Sequence, residues 1–186
     1  MTIINRIFGC AAFCILAGCA NQPSQVILNP VYQNGQVSTI NSSLSTSVID
    51  VRGDTSTLTL VESDKTKTFA SQGITESIKS ALDSALSRNG ASISNLATTR
   101  FELDINALQA VVTETLVSHK SEAKIELSVR VIRATSNFTK KYSGNAALEG
   151  PLGHDRAKIE GQLNKLTEQM ITRIVSDPEL IQFLEG

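Results

Sequence analysis

Two stretches of strict alternation limit this chain more than anything else in it. Phe101, Leu103, Ile105 and Ala107 fall on one side of an extended backbone, and Glu102, Asp104 and Asn106 on the other. Ala123, Ile125, Leu127, Val129 and Val131 repeat the pattern against Lys124, Glu126, Ser128 and Arg130. A period of two belongs to strands, and one wet face points to half-buried strands in an antiparallel sheet. A third, weaker run spans Phe138 to Leu148, with Tyr142 and Ala146 in phase with Phe138. Leu108–Val117 breaks the phase, so a bulge or bend is expected there.

Helical periodicity supplies the covering layer. Ile74, Ile78, Ala81, Leu82, Ala85 and Leu86 form one apolar stripe, with Ser71 as the expected cap and Gly90 as the expected stop. A last helix is expected from near Asp155, with Ile159, Leu163, Leu166, Met170 and Ile174 inward. Asp177-Pro178-Glu179 restarts a short helix as N-cap, N1 and N2, docked by Leu180, Phe183 and Leu184. Earlier, Ser47–Arg52 and Thr57–Glu62 flank Gly53-Asp54 and read as a β-hairpin. The predicted fold is two-layer α+β: a twisted antiparallel sheet of about four to six strands with two main helices on one face. With no Trp and 4% aromatics, its core must be built from Ile, Leu, Val and Ala.

The first residues read differently. Arg6 precedes an apolar run from Ile7 to Ala17, the length of an export-signal core and too short for a membrane span. Leu16-Ala17-Gly18-Cys19 resembles the bacterial lipobox, which implies cleavage between Gly18 and Cys19 and acylation of the Cys19 thiol. Small side chains at Ala17 and Gly18 let a peptidase grip extended backbone, and the thiol is the soft nucleophile for lipid transfer. Residues 1–18 are thus expected to be a signal peptide, 19–45 a lipid anchor and tether, and 46–186 a periplasmic domain. The tether is rich in Ser, Asn and Gln, apart from Val26-Ile27-Leu28, which looks like a short edge strand with the domain beginning near Gln25. Ala20 replaces the Asp of the inner-membrane retention signal, so the expected place is the periplasmic face of the outer membrane. Cys10 and Cys14 lie in the signal, which leaves Cys19 and no internal disulfide in the mature chain.

Charge and motifs exclude more than they suggest. Without Arg6 the mature chain carries 16 Lys and Arg against 18 Asp and Glu, so no basic surplus calls for nucleic acid. His119 and His154 lack companions at metal-ligand spacing and read as surface or capping residues, so no metal and no cofactor is expected. Ser121-Glu122-Ala123-Lys124 spells S-x-x-K, but Lys124 enters a predicted strand where it cannot lie one helical turn from Ser121. Arg52-Gly53-Asp54 spells an adhesion tripeptide in a place where a turn already accounts for Gly and Asp. No catalytic residue is assigned.

The chain resembles the YajG family of proteobacterial lipoproteins over nearly its whole length. The shared landmarks are Leu16–Cys19, Asn29-Pro30, Arg88-Asn89-Gly90, the strand Ala123–Leu127, Thr139–Tyr142, Glu149-Gly150 and Asp177–Phe183. The resemblance implies an envelope lipoprotein of unassigned role, and Cys19 is the one site it carries over. The expected function is non-enzymatic: presentation of a periplasmic domain to an envelope protein, or service in envelope assembly. The candidate partner face is the polar side of the sheet, Glu102, Asp104, Lys124, Glu126 and Arg130. A homo-oligomer is a further candidate. The alternative is a binder of muropeptide, glycan or lipid in a cleft between helices and sheet.

Overall fold

The computed structural model describes residues 25–186. The signal segment, the Gly18–Cys19 cleavage site and the acylation site Cys19 lie outside the described residues. The elements run β1 (Ser43–Asp50), β2 (Ser56–Glu62), β3 (Lys65–Ala70), α1 (Ile74–Arg88), β4 (Ser92–Ile93), β5 (Thr99–Glu114), β6 (Ser118–Ile132), β7 (Asn137–Pro151), α2 (Arg156–Val175) and α3 (Pro178–Glu185).

The architecture is the expected two-layer α+β fold, with three helices. Its sheet holds seven strands and is mixed, where a purely antiparallel sheet of fewer strands was expected. β5, β6 and β7 form the antiparallel meander that the alternation predicts. On the other edge of β5, β1 and β2 both run parallel to it, one after the other. β3 pairs antiparallel with β2, and β4 parallel with β1.

The hairpin predicted across Gly53-Asp54 therefore does not form. Between Asp50 and Leu58 the β1–β2 chain advances eight residues while β5 advances five, from Ile105 to Ala110. The surplus is thrown out as a local excursion. Asp54 gives it turn chemistry by accepting from the Ser56 N–H at 2.8 Å. The Arg52 side chain, only 3% exposed, fills the gap: it makes two 2.8 Å bonds to the Asp50 carboxylate and one of 2.9 Å to the Leu108 carbonyl. The true hairpin is β2–β3, turning at Ser63 in the left-handed region (φ 49°). β3, Lys65-Thr-Lys-Thr-Phe-Ala70, shows no alternation of apolar residues because almost all of it is exposed at the sheet edge. Lysines are common on such edges because they discourage further pairing.

Helix faces follow the predicted stripes. All six apolar positions of α1 are buried, as are Ile159, Leu163, Leu166, Met170 and Ile174 of α2. Asp177 caps α3 by accepting from the Glu179 N–H at 2.9 Å, with Pro178 in the first turn. Ser71 does not cap α1. Gly73 (φ 65°) occupies that position, and Ser71 instead forms a β-bridge with Val26. Gly90 stops α1 as expected. Its φ of 100° suits glycine, and a Cβ there would lie 3.0 Å from the Ile40 carbonyl oxygen.

The bulge in β5 falls earlier than the sequence suggests. Register shifts between Ile105 and Ala107, so Phe101, Leu103 and Ile105 point to the core, and after the shift Leu108, Ala110 and Val112 do. Ala107 loses the inward place that simple alternation gives it.

The outer part of the expected tether is also folded. Val26, Leu28, Tyr32 and Ile40 are buried in the core. The extended segment lies on α2 as a strap. Ile27 N–H donates to Glu160 Oε1 and Asn29 N–H to Asn164 Oδ1, each at 2.9 Å. Further on, Gln33 N–H meets Glu168 Oε1 at 3.0 Å and the Asn34 amide meets Thr172 Oγ1 at 2.7 Å. Two extended residues rise about 6.6 Å and four helical residues about 6 Å, so Glu160 and Asn164 meet the alternate amides of Ile27 and Asn29. Helix side chains thus satisfy the backbone groups of Asn29 and Gln33, in a stretch whose composition reads as tether. Asn89, fully buried, closes the far end: its Oδ1 accepts from the Val37 and Ser38 N–H groups at 2.8 and 2.7 Å.

Candidate partner face

Helices cover one side of the sheet, and the other carries the polar residues of the alternation. Glu102 and Asp104 project outward from β5, and Lys124, Glu126 and Arg130 from β6. Register sets Glu102 opposite Arg130, and Arg130 Nε lies 2.9 Å from Glu102 Oε2. The same guanidinium reaches Asp104 Oδ2 at 3.5 Å. Lys124 and Glu126, neighbours on one face of one strand, pair at 2.8 Å. The hydrogen bond from Lys124 holds the Glu126 carboxyl below its ordinary range. Lys124 and Arg130 are six residues apart on β6, about 20 Å. The five predicted residues thus share one face but form two separate groups, bridged by the Ser128–Asn106 hydrogen bond of 2.7 Å.

Each group is internally paired. A partner would exchange these pairs for its own rather than meet unbalanced charge, which favours selectivity over raw affinity. Beside Lys124 the face dips into a shallow depression of about 670 Å³, lined by Gln109, Val111, Glu122, Asn145 and Ala147. Small side chains at Val111 and Ala147 create it.

The residues weighed for chemistry do not converge. Ser121 is buried on the helix side and donates to Gln162 Oε1 at 2.7 Å, while Lys124 points out of the opposite face. Arg52 of the adhesion tripeptide is turned inward. His119 does not sit in a surface loop. It lies within β6, 7% exposed, with Nδ1 3.0 Å from the Leu152 carbonyl oxygen. The alternation extends back through Ser121 to His119, masked by the polar look of Ser118-His-Lys-Ser121. His154 Nδ1 is 2.6 Å from Glu114 Oε1, and its backbone N–H bonds the same oxygen. Burial pushes the Glu114 carboxyl up, but these contacts outweigh it and hold the group below its usual range. Among the described residues no three His, Cys, Asp or Glu side chains are placed to hold a metal ion.

A buried polar cluster on the helix side escaped the sequence reading. Tyr142 donates to Asp177 Oδ2 at 2.9 Å, and Lys140 Nζ lies 2.8 Å from the same oxygen. Burial first, and then the hydrogen bond to Asp177, push the Tyr142 hydroxyl well above its ordinary value. Its trace in the sequence is Lys140, in phase with Phe138 and Tyr142 and so on the inward face, where a cation needs an acid.

With this geometry in view, a model for a family of uncharacterized lipoproteins matches residues 30–185. The chain belongs to this lipoprotein family. No curated protein matches the lipoprotein in sequence. Among solved structures it is similar to a protein of Xanthomonas campestris at 13% identity and a TM-score of 0.50, covering 87% of this chain and 95% of that one. It is also similar to the PelC dodecamer subunit of Paraburkholderia phytofirmans (10% identity, TM-score 0.39, 80% and 90% covered). Lipoprotein GNA1162 of Neisseria meningitidis matches at 10% identity and a TM-score of 0.35, over 71% of this lipoprotein and 98% of that chain. At these identities the likeness concerns the fold alone. No helix among the described residues is long and apolar enough to cross a membrane.

Proposed function

We propose that this lipoprotein is of the YajG type, is cleaved before Cys19, and is held by acyl chains on that residue at the periplasmic face of the outer membrane. Its folded part has no enzymatic role and offers the outer side of β5–β7 to another envelope protein. The observation that carries the reading is the open face of three long strands, where the Arg130–Glu102–Asp104 and Lys124–Glu126 groups stand clear of the helices. An exposed sheet face with β7 as its edge strand among the described residues is a common platform for protein recognition.

Photo-cross-linking in cells from Glu126 and Arg130, with mass spectrometry of the adducts, tests it. A reproducible adduct with one envelope protein is the expected result. Cross-links between copies alone would make the face a homo-oligomer interface, and no adduct at all would count against a protein partner.

The depression beside Lys124 lies on the outer face and not in the expected cleft between helices and sheet, and it favours a second reading in which muropeptide, glycan or lipid binds there. Thermal-shift screening with these three classes checks it, and absence of stabilisation by any of them removes it.

A further inference from the structure

The tip between β5 and β6 exposes Leu116 at 96% and Val117 at 73%, and the neighbouring β7–α2 loop exposes Leu152 at 68%. The two loops are tied together. Leu152 N–H donates to the Val117 carbonyl at 2.9 Å, and the Leu152 carbonyl oxygen lies 3.0 Å from His119 Nδ1. Leu152 is thereby held in left-handed backbone at φ 59°. A bulky side chain takes that conformation rarely and at a cost, although Gly153 stands next in the chain. Strain of this kind gathers where the placement of a side chain serves a function. No charged residue occurs in Thr115–Ser118 or Pro151–Gly153, so the result is one apolar knob.

The strap brings the anchor end of the chain to the same side. It follows α2 from Glu160 to Thr172 in the direction of the helix, so Gln25 lies at the α2 N-terminal end. The loop entering that end carries Leu152. Cys19 precedes Gln25 by six residues, a span of at most about 20 Å. We infer that Leu116, Val117 and Leu152 enter the interface of the lipid bilayer that holds Cys19, giving the domain a second point of attachment and a fixed orientation. The inference rests on the acylation of Cys19 proposed above. Aliphatic side chains on an anchored protein gain from the headgroup–acyl boundary, where their apolar surface leaves water. Leu96, 92% exposed, precedes the start of the 16-residue strand β5, about 50 Å from the tip, and serves as the control.

The test uses the full mature lipoprotein in vesicles of phosphatidylethanolamine and phosphatidylglycerol. An environment-sensitive fluorophore is placed on Leu116→Cys, Leu152→Cys or Leu96→Cys, acylated Cys19 being closed to labelling. Lipids bearing a shallow nitroxide should quench the probes at positions 116 and 152 roughly threefold more than the probe at 96. Equal quenching at all three positions would overturn the inference, as would a tip probe that responds only when envelope proteins are added. The mass of the mature chain separates the two readings. An unmodified Cys19 overturns both, whereas an acylated Cys19 with unquenched tip probes overturns only this one.

Discussion

Arg52 donates through Nη1 to the carbonyl oxygen of Leu108 at 2.9 Å, across the gap where β1 has ended and β2 has not begun. A cation thereby closes a break in the hydrogen-bond ladder beside β5. The hydrogen bond from Arg52 also keeps the Asp50 carboxyl below its ordinary range.

Replacing Arg52 with Met should leave the Leu108 carbonyl bare and Asp50 without its partner. The expected loss is about 3 kcal/mol, or a melting point lower by roughly 6–12 °C for a domain of this size. Arg52→Lys should recover only part of this, because an ammonium cannot make the paired contacts to Asp50. Thermal unfolding of the three proteins decides it, and a Met variant as stable as the parent would show the contact to be idle.

Gly150 and His119 sit face to face across β6 and β7. A Cβ on Gly150 would stand 2.6 Å from His119 Cε1, and the ring is fixed by its contact with Leu152. Gly150→Ala should cost about 1–3 kcal/mol through overpacking. Adding His119→Ala should return part of that loss, and a double-mutant cycle measures the coupling. Strictly additive effects would refute the steric account.

Acid should weaken the fold through Asp177. Burial alone pushes its carboxyl up, but the bonds from Lys140, Tyr142 and the Glu179 and Leu180 N–H groups outweigh burial and hold it below the usual value. A carboxyl depressed in the folded state contributes stability that is complete above its unfolded value of about 3.9 and is lost as pH falls through the folded value. Asp177→Asn keeps a capping side chain yet should lower stability at neutral pH and flatten the acid limb of a urea-midpoint profile. Some slope should remain, because Glu114 and Glu168 are also depressed. An unchanged profile would remove Asp177 from the account.

Relief of the Leu152 backbone should stabilise the protein. Asn tolerates the left-handed region, so Leu152→Asn should gain about 1 kcal/mol and raise the melting point by roughly 2–4 °C. A lower melting point would mean that the Leu152 side chain stabilises the fold more than its backbone strains it.

How much of this was legible depended on how local the cause was. Ile78 and Leu82 on α1, or Ile125 and Val129 on β6, announce themselves by spacing, because one element's burial is written along its own sequence. The pairing of β1 with β5 is written nowhere locally: Gly53-Asp54 is equally good chemistry for a hairpin and for the excursion that forms. Val26-Ile27-Leu28 stood out as a short strand, but Asn29 to Asn34 looked like tether because its partners, Asn164 to Thr172, lie more than a hundred residues away. Alternation set Glu102, Asp104, Lys124, Glu126 and Arg130 on one face, and the strand register keeps them there. Alternation did not show that Arg130 would gather Glu102 and Asp104 while Lys124 and Glu126 pair apart, since cross-strand register decides that. The bulge at Asn106 moved as well, because a phase break shows where alternation resumes more clearly than where it slips.

The strap along α2 has a mechanical meaning under the proposed acylation of Cys19. Tension from the anchor would run along the strap and so parallel to α2, loading the Ile27, Asn29 and Gln33 bonds together. Bonds loaded side by side in shear must fail as a set, whereas bonds peeled from one end fail in turn. A pull from the proposed anchor would pass through these bonds into the long helix and, through the Val26–Ala70 hydrogen bond of 3.0 Å, into the β3 edge of the sheet.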